Sequence, residues 1–234
     1  MNTPAKIRHT VRLLGWSRAA HLAISVLLGR HPARLWNHDP DFLALYRQIE
    51  NHTLVDKARL YMLYQLAGQA RGIPGEAAEV GVYKGGTARL ISRVLADTPK
   101  RVHIFDTFAG MPSSVRPMDF VRTGDFADTS AERVGQYLKD CHNVEIHPGF
   151  FPGTAAPVAD ARFAFAHLDA DSYQSIHDCC EFFYPRLEKG GILIVDDYGS
   201  SICQGVRPAV DQFFADKPER PCYLPTGQCA VFRI

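Results

Sequence analysis

The sequence predicts an α/β fold in which a mostly parallel sheet is covered by helices on both faces. Two observations support this prediction. Short apolar segments alternate with helical patterns from about residue 76 onward, and four of the apolar segments end in acidic residues. Such alternation is typical of parallel sheets, because each helix returns the chain to the start of the next strand. We expect this domain to span residues 71–234, after a helical extension or lid formed by residues 1–70.

The composition indicates which broad class of protein this chain belongs to. The chain has 234 residues, of which 46% are hydrophobic and 22% are charged, as is ordinary for a soluble globular protein. Its net charge of +1 provides no overall field that would attract nucleic acid. Its six cysteines include no C-x-x-C pair, so we expect reduced thiols. No apolar run approaches the roughly 20 residues of a membrane span, and we expect a cytoplasmic protein.

The N-terminal extension is basic. The first 38 residues contain six lysines and arginines and no acidic residue, and residues 11–28 are predicted to be helical. This helix would either pack on the domain or a second subunit, or lie on an anionic membrane surface. Residues 41–68 follow as one or two helices, with a turn or N-cap at residues 51–53. These N-terminal helices lead us to expect a homodimer.

From residue 76 the predicted elements follow one another as strand and helix. The fifth strand is apolar throughout, which indicates a central position in the sheet. Thr129 and Glu132 fit a capping box before the second helix of this series, and residues 189–191 would close the third. The predicted strands are 77–82, 101–106, 144–147, 162–169, 192–197 and 228–233, and the predicted helices are 87–95, 131–141, 175–187 and 206–215.

The first strand leads into a glycine-rich turn. Gly81, Gly85 and Gly86 would let the backbone approach a ligand closely, although the same glycines would also suit a purely structural turn. Their spacing matches neither the dinucleotide fingerprint nor the phosphate-binding P-loop. Asp106 ends the second strand, where a carboxylate accepts hydrogen bonds from ribose hydroxyls. Together these features predict an adenosine-containing cofactor without identifying which one.

Three aspartates end the fourth and fifth strands. Asp169, Asp196 and Asp197 would lie together, because the carboxyl ends of parallel strands meet at one edge of the sheet. Three carboxylates suit Mg²⁺, or less specifically Mn²⁺ and Ca²⁺. The alternative is that the Asp196–Asp197 pair only caps the following turn. Asp171 would either support the site from nearby or start the next helix.

Six stretches of the chain carry a resemblance to a known family. They are residues 75–86, 105–112, 148–151, 168–173, 184–187 and 190–198. In content and order they resemble the macrocin O-methyltransferase family, the TylF/MycF-type sugar O-methyltransferases, over about residues 50–234. The match is weaker before residue 50 and at residues 113–129, which form the acceptor lid in that family.

The resemblance implies a Rossmann-like methyltransferase domain that binds S-adenosylmethionine and Mg²⁺. The acceptor would be a hydroxyl of a sugar, a glycosylated small molecule or a polysaccharide. By position, Asp169, Asp196 and Asp197 would hold the metal. The residues that would line the cofactor are Glu79, Gly81, Tyr83, Gly85, Gly86, Thr87, Asp106, Thr107, Phe108, Gly149, Phe150 and Phe151.

The candidate catalytic bases are Asp169, Asp125 and His147. Asp169 would assist proton removal while holding the metal, whereas Asp125 and His147 also suit a turn and a hydrogen-bonded histidine. Catechol-type relatives have a lysine where this chain has Ser172, which cannot serve as such a base. We expect His167 to be a hydrogen-bonded core residue.

Two other functions remain open: methyl transfer to another small diol, and a non-catalytic assembly subunit.

Overall fold

The computed structural model describes residues 34–111 and 121–234, so the predicted basic helix lies outside the described residues. A seven-stranded sheet has the order β3-β2-β1-β4-β5-β7-β6. Strands β1 to β5 are parallel, β7 is antiparallel to β5, and β6 is antiparallel to β7. This sheet confirms the predicted fold class. The strands are β1 Glu76–Val80, β2 Val102–Asp106, β3 Val144–Pro148, β4 Phe163–Leu168, β5 Leu187–Val195, β6 Cys222–Tyr223 and β7 Cys229–Phe232.

Six α-helices are described. They are α1 Pro40–Ile49, α2 Lys57–Gln69, α3 Gly86–Val94, α4 Ala131–Tyr137, α5 Tyr173–Phe183 and α6 Val206–Phe213. Helices α1 and α2 pack against α3 and belong to a compact unit of residues 40–234. Within the described residues, no helix is both long enough and apolar enough to cross a membrane.

The sequence did not indicate the N-caps of two helices, although α4 begins at Ala131 as predicted. The N-cap of α2 is Asp56, whose carboxylate accepts two backbone N–H groups of the first turn, and residues 51–53 precede it. The N-cap of α4 is Ser130. The hydroxyl of Thr129 instead donates to the carbonyl of Tyr83 at 2.6 Å.

The junction between α5 and β5 also differs from the prediction. Helix α5 ends at Phe183, a short 3₁₀ turn covers Tyr184–Arg186, and β5 starts at Leu187. Residues 189–191 therefore lie inside a strand and do not close a helix. Gly190 has φ +82°, in the left-handed region, and the pairing with β4 shifts register here. The glycines allow a bulge that lengthens β5 at its start.

The order of the strands determines where a ligand can bind. The chain runs outward through β2 and β3 on one side of β1, and through β4 and β5 on the other. The crevice at such a reversal, outside the carboxyl ends of the strands, is where open α/β sheets bind ligands. Helix α5 packs on β4 and β5 over buried Phe163 and Phe183.

All six cysteines are free, as predicted.

Candidate active site

A cavity of about 330 Å³ opens at the carboxyl ends of β1, β2, β4 and β5, and residues 53–55 before α2 also line it. It contains all three predicted metal ligands, Asp169, Asp196 and Asp197. Glu79, Gly85, Gly86 and Phe108 lie outside its lining. The predicted cofactor residues that do line it are Gly81, Tyr83, Thr87, Asp106, Thr107, Gly149, Phe150 and Phe151.

The glycine turn after β1 is shaped by close packing. Gly81 has φ +87°, and a Cβ atom on it would lie 1.7 Å from the carbonyl oxygen of Asp169. A Cβ on Gly86 would lie 2.7 Å from the carbonyl oxygen of His52. Gly85, also at φ +87°, is the N-cap of α3. Gly81 therefore lets β1 and β4 meet at the cavity, whereas Gly85 and Gly86 turn the chain into α3.

The carboxylate of Asp106 fixes the loops on either side of the cavity. Its Oδ2 accepts the backbone N–H groups of Val82 and Tyr83 at 2.7 and 2.8 Å. Its Oδ1 accepts the N–H of Phe108 at 2.7 Å. A carboxylate oxygen accepts about two hydrogen bonds, so Oδ1 can still accept one from a ligand hydroxyl.

The ligating oxygens of Asp169, Asp196 and Asp197 lie within 4.8 Å of one another. Burial raises the pKa of Asp169 above its usual range, and the neighbouring charges of Asp196 and Asp171 raise it further. Burial and the charge of Asp197 likewise raise the pKa of Asp171 to about 8. Four carboxylates thus converge at one end of the cavity, and a bound cation would reduce their mutual repulsion.

Arg59 is a member of this cluster that the sequence did not reveal. Its Nη1 donates to Asp196 Oδ2 at 2.7 Å and to Asp197 Oδ1 at 2.9 Å. Its Nε donates to the carbonyl of Thr226 at 3.2 Å. Arg59 lies in the first turn of α2, 137 residues before Asp196. Nothing in its local sequence distinguishes it from a solvated helix residue.

His167 is the second cation near the aspartates. It is fully buried on β4, where its Nδ1 lies 2.8 Å from Glu79 Oε1 and its Nε2 lies 3.7 Å from Asp196 Oδ1. Burial opposes its charged form, but the interactions with Asp196 and Glu79 outweigh this and raise its pKa to about 10. The structure confirms His167 as a hydrogen-bonded core residue. It also makes Glu79 the partner of His167, beneath the cavity.

The other candidate bases lie outside the cavity lining. Asp125 Oδ2 accepts the backbone N–H of Arg122 at 2.7 Å, as a turn residue does. His147 is buried behind the ring of Phe105, with 4.6 Å between the ring centroids. Ser172 is the N-cap of α5. Of the three predicted bases, only Asp169 faces the cavity.

Comparison with known proteins shows that this chain is similar to O-methyltransferases in both sequence and fold. Residues 47–220 match the family described as Macrocin-O-methyltransferase (TylF). The chain is 33% identical over 178 residues to the 8-demethyl-8-(2,3-dimethoxy-alpha-L-rhamnosyl)-tetracenomycin-C 4'-O-methyltransferase of Streptomyces olivaceus, covering 65% of each chain. It is 30% identical over 180 residues to the mycinamicin III 3''-O-methyltransferase of Micromonospora griseorubida, covering 69% of this chain and 70% of that one. The solved structure of the O-methyltransferase NovP superposes with a TM-score of 0.68 and 27% identity, over 78% of this chain and 82% of NovP.

Proposed function

This chain belongs to the macrocin O-methyltransferase family, and we propose that it transfers the methyl group of S-adenosylmethionine to a hydroxyl of a sugar or glycosylated small molecule. The observation that carries the proposal is the cluster of Asp169, Asp196 and Asp197 in a cavity bordered by the glycine turn and Asp106. The names of the two relatives describe methyl transfer to oxygen on a rhamnosyl tetracenomycin and on mycinamicin III.

The cavity lining suggests how S-adenosylmethionine would bind. Its volume falls within the roughly 300–1,000 Å³ of small-molecule sites. The free acceptor position on Asp106 Oδ1 would receive a ribose hydroxyl, while Tyr83 and Thr87 would lie toward the methionine end. The ring of Phe150 is 42% exposed and that of Phe151 only 5%, so Phe150 is better placed to stack on the adenine.

The aspartate cluster fits a divalent cation of the hard, oxygen-binding class. Four carboxylates meet there, and Arg59 and His167 are the cations that the described residues place against them. Asp169, Asp196 and Asp197 would hold Mg²⁺, with waters or acceptor oxygens completing its coordination. When bound, the ion would supply a positive charge that lowers the pKa of the acceptor hydroxyl.

The chain itself would position the reactants and accept a proton. The acceptor oxygen forms a bond to the methyl carbon as the bond from that carbon to sulfur breaks, so the two substrates must be held in line. Asp169 is the candidate to take the hydroxyl proton, because it alone of the three predicted bases lines the cavity. The apolar side chains of Leu54 and Val55 at its edge would limit access of water.

Isothermal titration of S-adenosylmethionine and S-adenosylhomocysteine tests the proposal, followed by Mg²⁺ titration with and without a panel of sugar diols. The test variant is Asp197→Asn, and the matched control is Asp160→Asn, at an exposed position outside the cavity. We expect micromolar cofactor binding to the native protein, and acceptor binding that requires Mg²⁺. Acceptor binding should be lost in Asp197→Asn and kept in Asp160→Asn.

Each other outcome selects a different function. If neither cofactor binds, the enzyme proposal is wrong and a non-catalytic assembly subunit becomes the better explanation. Acceptor binding without Mg²⁺ would retain methyl transfer but remove metal chelation from the mechanism. A preference for catechol-like diols over sugars would move the substrate to another class of small diol.

A further inference from the structure

A second group of metal-ligating side chains lies on β2 and the edge strand β3, outside the cavity lining. His103 pairs with Glu145 across the two strands, and Phe105 pairs with His147. Since side chains alternate between the faces of a sheet, His103, Glu145 and His147 project from the same face. Glu76 on β1 projects from this face as well, two residues before the partner of His103.

The three ligand atoms are close enough to bind one ion. His103 Nδ1 and His147 Nε2 lie 3.0 Å apart. Glu145 Oε2 lies 3.9 Å from His103 Nδ1, and Glu145 Oε1 lies 4.0 Å from His147 Nε2. A tetrahedral zinc ion with bonds of about 2.0–2.1 Å separates its ligand atoms by roughly 3.3 Å. Small side-chain movements would therefore bring all three groups to bonding distance.

The hydrogen bond between His103 and Glu76 suits metal binding by His103. Glu76 accepts a hydrogen bond from Nε2 of His103, which leaves the lone pair of His103 on Nδ1, directed at His147. A carboxylate behind a ligating histidine is the usual outer partner in zinc sites.

We propose that His103 Nδ1, His147 Nε2 and the Glu145 carboxylate form a second metal site, which binds Zn²⁺ or a similar late transition-metal ion. Two imidazoles and one carboxylate favour such an ion over Mg²⁺, which prefers oxygen ligands only. Glu145 is half exposed, which leaves a path for the ion and room for a water as fourth ligand. The site is thus chemically different from the aspartate cluster.

A metal ion bound here would link the side chains of the edge strand β3 to those of β2, next to the cavity. Residues 149–151, which line the cavity, directly follow β3, and the Phe105 ring separates His147 from the cavity. Two interactions compete with the ion. His147 can donate a hydrogen bond to His103, and Arg101 Nη1 lies 3.4 Å from Glu145 Oε2. The free energy of zinc binding must exceed the free energy that these two contacts contribute.

The test is a titration of the full, chelator-treated protein with Zn²⁺ alone, read by competition with a chromophoric chelator, in millimolar Mg²⁺ that occupies oxygen-only sites. Co²⁺ absorption then reports whether nitrogen ligands are present. We expect one zinc per chain, with affinity at least tenfold weaker in His147→Gln and in Glu145→Gln. Glu76→Gln should weaken binding by roughly 10- to 100-fold, as loss of an outer partner does. The control is His142→Gln, an exposed histidine of the same segment, which should bind zinc like the native protein.

Glu145→Gln decides the outcome if His147→Gln fails to fold, because Glu145 is half exposed and its loss leaves the core intact. Equal zinc affinity in Glu145→Gln and the native protein would overturn the proposal. So would zinc binding that is lost in Asp197→Asn instead, since the ion would then occupy the aspartate cluster. The proposal does not depend on methyl transfer, and its test measures no activity.

Discussion

At the scale of single residues, the sequence predicted the location of Asp196 but not that of Arg59. The position of Asp196 in the cavity could be predicted, because it follows an apolar strand and the ends of parallel strands share one edge of the sheet. Arg59 could not, because its role depends on packing that brings the start of α2 to residues 137 positions away. The same limitation applies to the contact between Glu79 and His167, which lie 88 residues apart in the sequence.

The Arg59→Met variant should bind divalent ions more tightly. The guanidinium occupies oxygens of both Asp196 and Asp197, so an incoming cation has to compete with it. Removing it should increase the affinity for Mn²⁺ by at least tenfold, measured by electron paramagnetic resonance titration. Without metal the variant should lose about 3 kcal/mol of unfolding free energy, because breaking a buried ion pair leaves charge uncompensated.

Arg207→Met is the matched control, because Arg207 forms an exposed ion pair with Asp211 and has no contact with these aspartates. Exposed pairs contribute little, so neither Mn²⁺ affinity nor stability should change measurably. Weaker Mn²⁺ binding in Arg59→Met would show that Arg59 supports the ion, and competition between the two would then be wrong.

Among the secondary-structure elements, the bounds of β1 to β4 were predicted more accurately than the ends of the helices, whereas β5 begins five residues before its predicted start. Strands β1 to β4 lie within about two residues of their predicted bounds, because apolar runs and terminal aspartates mark them. One helix cap was predicted wrongly, at a place where two candidate hydroxyls are adjacent in the sequence. Ser130 caps α4, and Thr129 instead joins the loop to Tyr83, a tertiary contact that local sequence does not encode.

The turn after β1 should not tolerate a side chain. In Gly81→Ala the new methyl group would meet the carbonyl of Asp169, and the residue would remain at a positive φ. We expect a loss of more than about 2 kcal/mol in unfolding free energy, together with loss of cofactor binding. Gly68→Ala in α2 is the control, since nothing lies within 4 Å of the place its methyl group would take, and it should stabilise by about 0.5–1 kcal/mol. Urea denaturation measures both variants, and a Gly81→Ala protein of native stability would contradict the packing described.

The segment before β6 is joined to the C-terminus through Glu219. Burial opposes its ionisation, but hydrogen bonds from Tyr184 and Arg233 outweigh this and lower its pKa to about 2. Its unfolded pKa is about 4.3, so its stabilising effect is complete above that pH and is lost as the pH falls toward 2. Urea midpoints should therefore show Glu219→Gln less stable than the native protein at pH 7, with the gap shrinking from pH 4.5 to pH 3. Glu132→Gln, at an exposed position, should have the same urea midpoint as the native protein at pH 7 and at pH 3.

For the molecule as a whole, the sequence predicted the layered architecture but not the shape of the cavity. The alternation of strands and helices is a regular pattern that fixes a parallel sheet. The cavity, by contrast, combines strand ends with residues 53–55, and its lining excludes Gly85 and Gly86 of the same glycine turn. Which glycines approach a ligand and which only turn the chain depends on neighbours such as His52, which lies elsewhere in the sequence.

Ligand binding should stabilise the whole fold, because the cavity joins β1, β2, β4 and β5 at one edge of the sheet. S-adenosylhomocysteine at about 100 times its Kd should contribute about 2.7 kcal/mol. For a chain of this length that corresponds to a rise in Tm of roughly 5–10 °C. At the same ligand concentration, Phe150→Ala should show less than half of this rise, because the exposed ring no longer stacks on the adenine.

Phe232→Ala controls for the loss of a half-exposed ring outside the cavity. Its own Tm should fall, but the rise produced by S-adenosylhomocysteine should match that of the native protein, since ligand affinity is unchanged. Scanning calorimetry at several ligand concentrations separates the two effects, because only a change in Kd moves the concentration at which stabilisation begins. An unaltered rise in Phe150→Ala would show that the adenine does not lie on this ring, and would favour the buried ring of Phe151 as its neighbour.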